Sequence, residues 1–118
     1  MNDDTIALQI AVSTMRDEIP ADKSLTERVQ FAMRYVRQNE HDLFWMVGKA
    51  DDDLRLRTAL AAVMVKCSEK DKDIIERSIK PLKMLSAAAQ GIPVDFSAME
   101  ITDDLLPLIK LWHESEKS

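Results

Sequence analysis

The sequence predicts an all-α protein: a compact bundle of about five helices with short connections and one extended segment near residues 91–101. Three observations point there. Only two glycines and four prolines occur in 118 residues, which leaves little material for hairpins. Apolar residues recur at helical spacing in several separate stretches. Start and stop signals bracket those stretches at intervals that suit helices joined by short turns.

Asp3 and Asp4 place negative charge at the positive end of a first helix, expected over residues 4–17. Ile6 and Ile10, with Leu8, Val12 and Met15, give it a broad apolar face. Pro20 breaks it, because proline removes an amide donor and disfavours helix at Ile19. Ser24 with Glu27 three residues on is a capping box that opens the second helix. Leu25, Val29, Ala32, Met33 and Val36 carry that helix toward about His41, and Phe31 and Tyr35 stand one turn apart on an adjoining face. Gly48 supplies a turn, and Asp51, Asp52 and Asp53 can each cap the third helix. Its core, "TALAAVMV", is apolar almost all round, so it belongs at the centre, with Leu56, Leu60, Val63 and Cys67 as its tightest seam.

Asp73 with Glu76 announces the fourth helix, whose Ile75, Ile79 and Leu82 share a face. Pro81 is expected to kink or divide it, and Gly91 to close it in a left-handed cap. "IPVDFSAMEI" reads as the extended connection, with Ile92, Val94 and Phe96 inward. The last helix is expected from about Asp103 to Glu114, capped by Thr102 or an aspartate. It repeats Leu105, Leu108, Ile109 and Trp112 on one stripe and tolerates Pro107 in its first turns.

Length and composition bound the rest. Residues 1–118 suit a single helical domain, with 46% hydrophobic and 31% charged residues. No apolar run is long enough to span a membrane. A lone cysteine, Cys67, forms no intramolecular disulfide and suits a reducing cytoplasm. The net charge of −5 hides alternating blocks: residues 1–22, 23–38, 39–53, 54–83 and 84–118 carry −4, +3, −4, +4 and −4. Such blocks offer separate acidic and basic patches to a partner or to neighbouring helices.

Chemistry-bearing patterns are few. "FWMVGKADDDLRLR" has the layout of a helix-turn-helix, but its second helix would begin at Asp51-Asp52-Asp53, against phosphate. Basic blocks 23–38 and 54–83, with Arg28, Arg34, Arg37, Arg55 and Arg57, are the alternative route to nucleic acid. His41 and His113 lack ligand partners at helical spacing, so neither a metal nor another cofactor is expected. Cys67 ends the most apolar helix and reads as a small buried hydrophobe.

"RYVRQNEH" sets Arg34 seven residues before His41, which places both on one face of a continuous helix. The pattern resembles the Arg-to-His motif of the small all-α ribonucleases of the HEPN class, over eight residues and earlier in the chain than in that class. The resemblance implies a phosphate-stabilising role for Arg34 and acid–base work for His41.

Phe44, Trp45 and Met46 at a corner between helices, with Trp112 near the other end, are large apolar groups of the kind enriched at interfaces. With Arg34, Arg37, Asp51, Asp52 and Asp53 they make up the candidate partner-binding set. The leading expectation is therefore a non-catalytic, cytoplasmic protein-binding regulator, an adaptor or inhibitor of bacterial or phage type. Its partner would be another protein or a second copy of itself, since a third helix apolar almost all round calls for more cover than one small chain supplies.

Overall fold

Small residues decide how the first helix packs. In the computed structural model, which describes residues 3–48 and 50–116, α1 spans Asp3–Met15. It buries Ala7, Ala11 and Met15, one turn apart along a single edge. Ile6, Leu8, Ile10 and Val12, expected to face inward, are only half-buried. An alanine edge brings helix axes close, which the bulkier face would prevent. The side chain of Asp3, expected to complement the dipole, lies outside the described residues. Beyond Met15 the chain turns, with the Glu18 amide donating to the Met15 carbonyl at 3.0 Å, and buries Ile19 before Pro20.

Helix α2, Leu25–Gln38, starts on the expected capping box. Ser24 Oγ accepts from the Glu27 amide at 3.2 Å and donates to the Glu27 carboxylate at 2.9 Å. It ends before His41. Asn39 leaves helical backbone at φ −118°, ψ 18°, and its side-chain amide donates to the Tyr35 carbonyl at 2.9 Å. A single turn, α3, Glu40–Leu43, follows. Gly48 then reverses the chain at φ 74°, the left-handed conformation that glycine adopts without strain.

Helix α4, Asp52–Met64, is capped by Asp51, whose Oδ1 accepts from the Leu54 amide at 2.8 Å. Leu54, Leu56, Thr58, Ala59, Leu60, Ala62 and Val63 are all buried, and α1 and α2 both pack on this helix. Most of the apolar stretch is thus covered within the chain, while Ala61 and Met64 are half-buried and Val65 is exposed. Cys67 falls beyond the helix end and is half-buried, so the seam stops at Val63. The Thr58 hydroxyl is buried without a hydrogen-bond partner among the described residues. Thr58→Val keeps the shape and removes that group, and is expected to raise stability by about 1 kcal/mol. A higher denaturant midpoint at unchanged m-value is the readout; an unchanged or lower midpoint refutes it.

These helices belong to one compact unit, Met1–Cys67; Ser68–Ser118 form a second. There α5, Glu69–Ala89, begins earlier than expected, because Ser68 caps it by accepting from the Asp71 amide at 3.2 Å. Asp73, expected as the cap, instead holds Arg77 one turn on at 2.9 Å. Helix α5 runs through Pro81 undivided, with the ring buried. It closes as expected at Gly91, φ 83°, where the Ile92 amide donates back to the Ala87 carbonyl at 3.0 Å. The segment after it is extended apart from a 3₁₀ turn, Phe96–Ala98. Here the expectation fails in part: Ile92 and Phe96 are exposed and Val94 is half-buried. A second 3₁₀ turn, Asp103–Leu105, leads from Thr102 into α6, Leu106–Glu116. Leu105, Leu108, Leu111 and Trp112 are buried and Ile109 half-buried. The described residues contain no strand, and no described helix is long and apolar enough to cross a membrane.

Candidate functional site

The corner between α2 and α4 separates its three large apolar residues. Phe44 is 1% exposed and Trp45 is 65% exposed, while Met46 is half-buried. Successive residues on a helical turn point about 100° apart, so three in a row span about 200° and do not all face the same core. Leu43 and Phe44 take the inward directions and Trp45 is turned out. The corner is tied at both ends. Phe44 donates its amide to the Glu40 carbonyl at 3.0 Å and accepts from the Val47 amide at 3.1 Å. Arg55 of α4 reaches back to the Glu40 carboxylate and the Ala50 carbonyl, at 2.7 and 2.8 Å, and also binds Asp52. An indole held out from an anchored turn loses little entropy when it docks.

The aspartates divide their tasks. Asp51 caps α4, Asp52 binds Arg55, and Asp53 lies 2.9 Å from Arg57 Nε. All three therefore organise the start of α4, and His41 and Asp42, four and three residues before Trp45 in the chain, are exposed. Trp112, the other candidate tryptophan, is only 8% exposed. Phe44 and Trp112 thus present almost no surface to a partner.

Arg34 and Arg37 are exposed on α2. Beside them Phe31 and Tyr35 stack with ring centres 6.1 Å apart, the pairing expected one turn apart on a helix. His41 is exposed on α3, beyond the irregular backbone at Asn39, so it and Arg34 do not share one continuous helix.

Arg28, placed by the sequence in a basic surface block, is only 6% exposed. Its Nη2 donates to the Lys66 carbonyl at 3.0 Å and to the Val63 carbonyl at 3.5 Å. Helix α4 has no base in its own last turn, and the guanidinium of α2 supplies the positive charge that its negative end favours. With Arg55 and Arg57 also in ion pairs, the cations available for phosphate are fewer than the sequence blocks suggest.

In the second unit a cleft of about 350 Å³ lies between α5 and residues 98–105, floored by Pro81 and Leu105. None of the candidate residues lines it, and its lining includes neither histidine nor cysteine. Arg77 beside it binds Asp104 and Asp73, and the Thr102 hydroxyl donates to Asp104. The guanidinium and the hydroxyl hold the Asp104 carboxyl at about 2, below the ordinary 3.8. A carboxylate depressed in the folded state contributes fully above its ordinary pKa and loses that contribution as pH falls through the folded value. Carboxyl titration followed by NMR is therefore expected to place Asp104 near 2 in wild type. Removing the guanidinium with Arg77→Met is expected to return it toward 3.8, and a titration unmoved by that change refutes the assignment. Among the described residues no group of three His, Cys, Asp or Glu side chains could hold a metal ion.

No family model matches this chain, and no curated protein or solved structure matches it either.

Proposed function

We propose that the chain is a non-catalytic protein-binding regulator of the cytoplasm, an adaptor or inhibitor, and that it acts through the corner around Trp45. One observation carries this reading: an indole 65% exposed on a turn whose preceding residue is anchored in the core. Tryptophan is among the residues that most often dominate binding energy, because it buries a large rigid surface at small entropic cost. The partner surface that suits it is an apolar pocket, and exposed Asp42, three residues back in the chain, suits a cationic rim.

Affinity capture from the native host, with wild type and Trp45→Ala side by side, tests the proposal. A protein retained by wild type and lost with Trp45→Ala supports it. Retention that ignores the substitution places binding elsewhere, and capture of nothing by wild type removes the proposal's support.

A further inference from the structure

Three charged side chains line the cleft between α5 and residues 98–105 with their charges uncommitted: Glu76, Lys80 and Glu100. All three are exposed, and none makes an ion pair or side-chain hydrogen bond among the described residues. Glu76 and Lys80 even stand one turn apart on α5, the spacing at which helices form such pairs, without pairing.

The other cation of the cleft is taken. Arg77 donates from Nε to Asp73 at 2.9 Å, from Nη1 to the Thr102 hydroxyl at 3.2 Å, and from Nη2 to Asp104. These bonds tie α5 to the opposite wall before any ligand arrives. The floor is apolar: Pro81 and Leu105 are buried there, and Ala98 adds a methyl group. Pro81 also leaves an acceptor. It has no amide to donate, so the Arg77 carbonyl one turn back lacks its regular helical partner, and both residues line the cleft.

We propose that this cleft binds a small zwitterion with a hydrocarbon body, of the class of the aliphatic α-amino acids. Charge selects this class over its neighbours. A simple anion meets two carboxylates against one ammonium, and a simple amine meets Lys80. A zwitterion satisfies both signs at once. Its carboxylate faces Lys80, and its ammonium, with three donors, has the Glu76 and Glu100 carboxylates and the Arg77 carbonyl as acceptors. The hydrocarbon body covers Pro81, Ala98 and Leu105.

Size agrees. The cleft of about 350 Å³ lies at the lower end of the roughly 300–1,000 Å³ that small-molecule pockets span. Its charges are solvated, so the affinity expected is modest, a Kd of about 1 mM that weakens with added salt.

Two-dimensional NMR of the full chain tests this with three probes of one shape: L-leucine, L-leucinamide and 4-methylpentanoate. At about pH 6.5 they are a zwitterion, a cation and an anion. L-leucine is expected to shift the amide signals of residues 76–80 and 98–105, and to bind at least about tenfold more tightly than either analogue. Lys80→Met is expected to erase the preference over the amide, and Glu76→Gln with Glu100→Gln the preference over the anion. All three positions are exposed, so helical circular dichroism is expected to stay unchanged. Trp45→Ala is expected to leave the leucine response intact, so the cleft and the Trp45 proposal stand or fall separately. No shift up to about 50 mM leucine overturns the inference. So do shifts outside the cleft, an equal response to all three probes, or preferences that ignore the variants.

Discussion

Phe44→Ala is expected to destabilise the protein by about 3–5 kcal/mol, while Trp45→Ala, one residue on, stays within about 0.5 kcal/mol. The contrast follows from exposure, 1% against 65%. Truncating Phe44 opens a cavity in the core, because its ring is almost wholly buried. Truncating Trp45 exchanges one solvated surface for another. Urea denaturation of the two variants against wild type measures both effects. Comparable losses at the two positions would show that Trp45 is part of the core, which would also remove the basis for its binding role. The stability result matters for the capture experiment too: only a variant that folds as well as wild type can attribute lost binding to the indole.

Arg28→Met is expected to cost about 2 kcal/mol, against a change within about 0.5 kcal/mol for Arg34→Met on the same helix. Arg28 is buried and donates to carbonyls at the end of α4, whereas Arg34 is exposed. Methionine fills the volume but leaves the Val63 and Lys66 carbonyls without that donor. Part of the loss is offset, because Arg28 Nε is itself buried without a partner among the described residues. Hydrogen exchange localises the effect, with amides in the last turn of α4 expected to lose protection first. Equal costs for the two substitutions would mean that the interior tie contributes nothing beyond its packing.

Signals that act over three or four residues were legible from sequence. Ser24 with Glu27, Asp51 before Leu54, and the left-handed glycines 48 and 91 all mark boundaries where local chemistry decides the backbone. The start of α5 was misplaced because Ser68 and Asp73 each sit before a helical run, and the earlier cap extends the same helix. Directions were harder to read than boundaries. Helix α1 is apolar on most sides, so its periodicity does not say whether alanines or isoleucines face inward; packing against α4 settles it. Alternation in 92–96 shows that Ile92, Val94 and Phe96 share a side without saying which way that side faces. A one-turn helix has no period at all, which is why Phe44 and Trp45 were indistinguishable. Arg28 was missed as an interior tie because its acceptors lie 35 and 38 residues away.

The two tryptophans stand in contrasting surroundings, one in each compact unit: Trp45 open to water in the first, Trp112 shielded in the second. Each unit therefore carries its own built-in fluorophore. Acrylamide should quench the emission in two stages, the red-shifted share from Trp45 fading first and the blue-shifted share from Trp112 resisting. Single-tryptophan variants would then report on each half of the chain separately, without any added label.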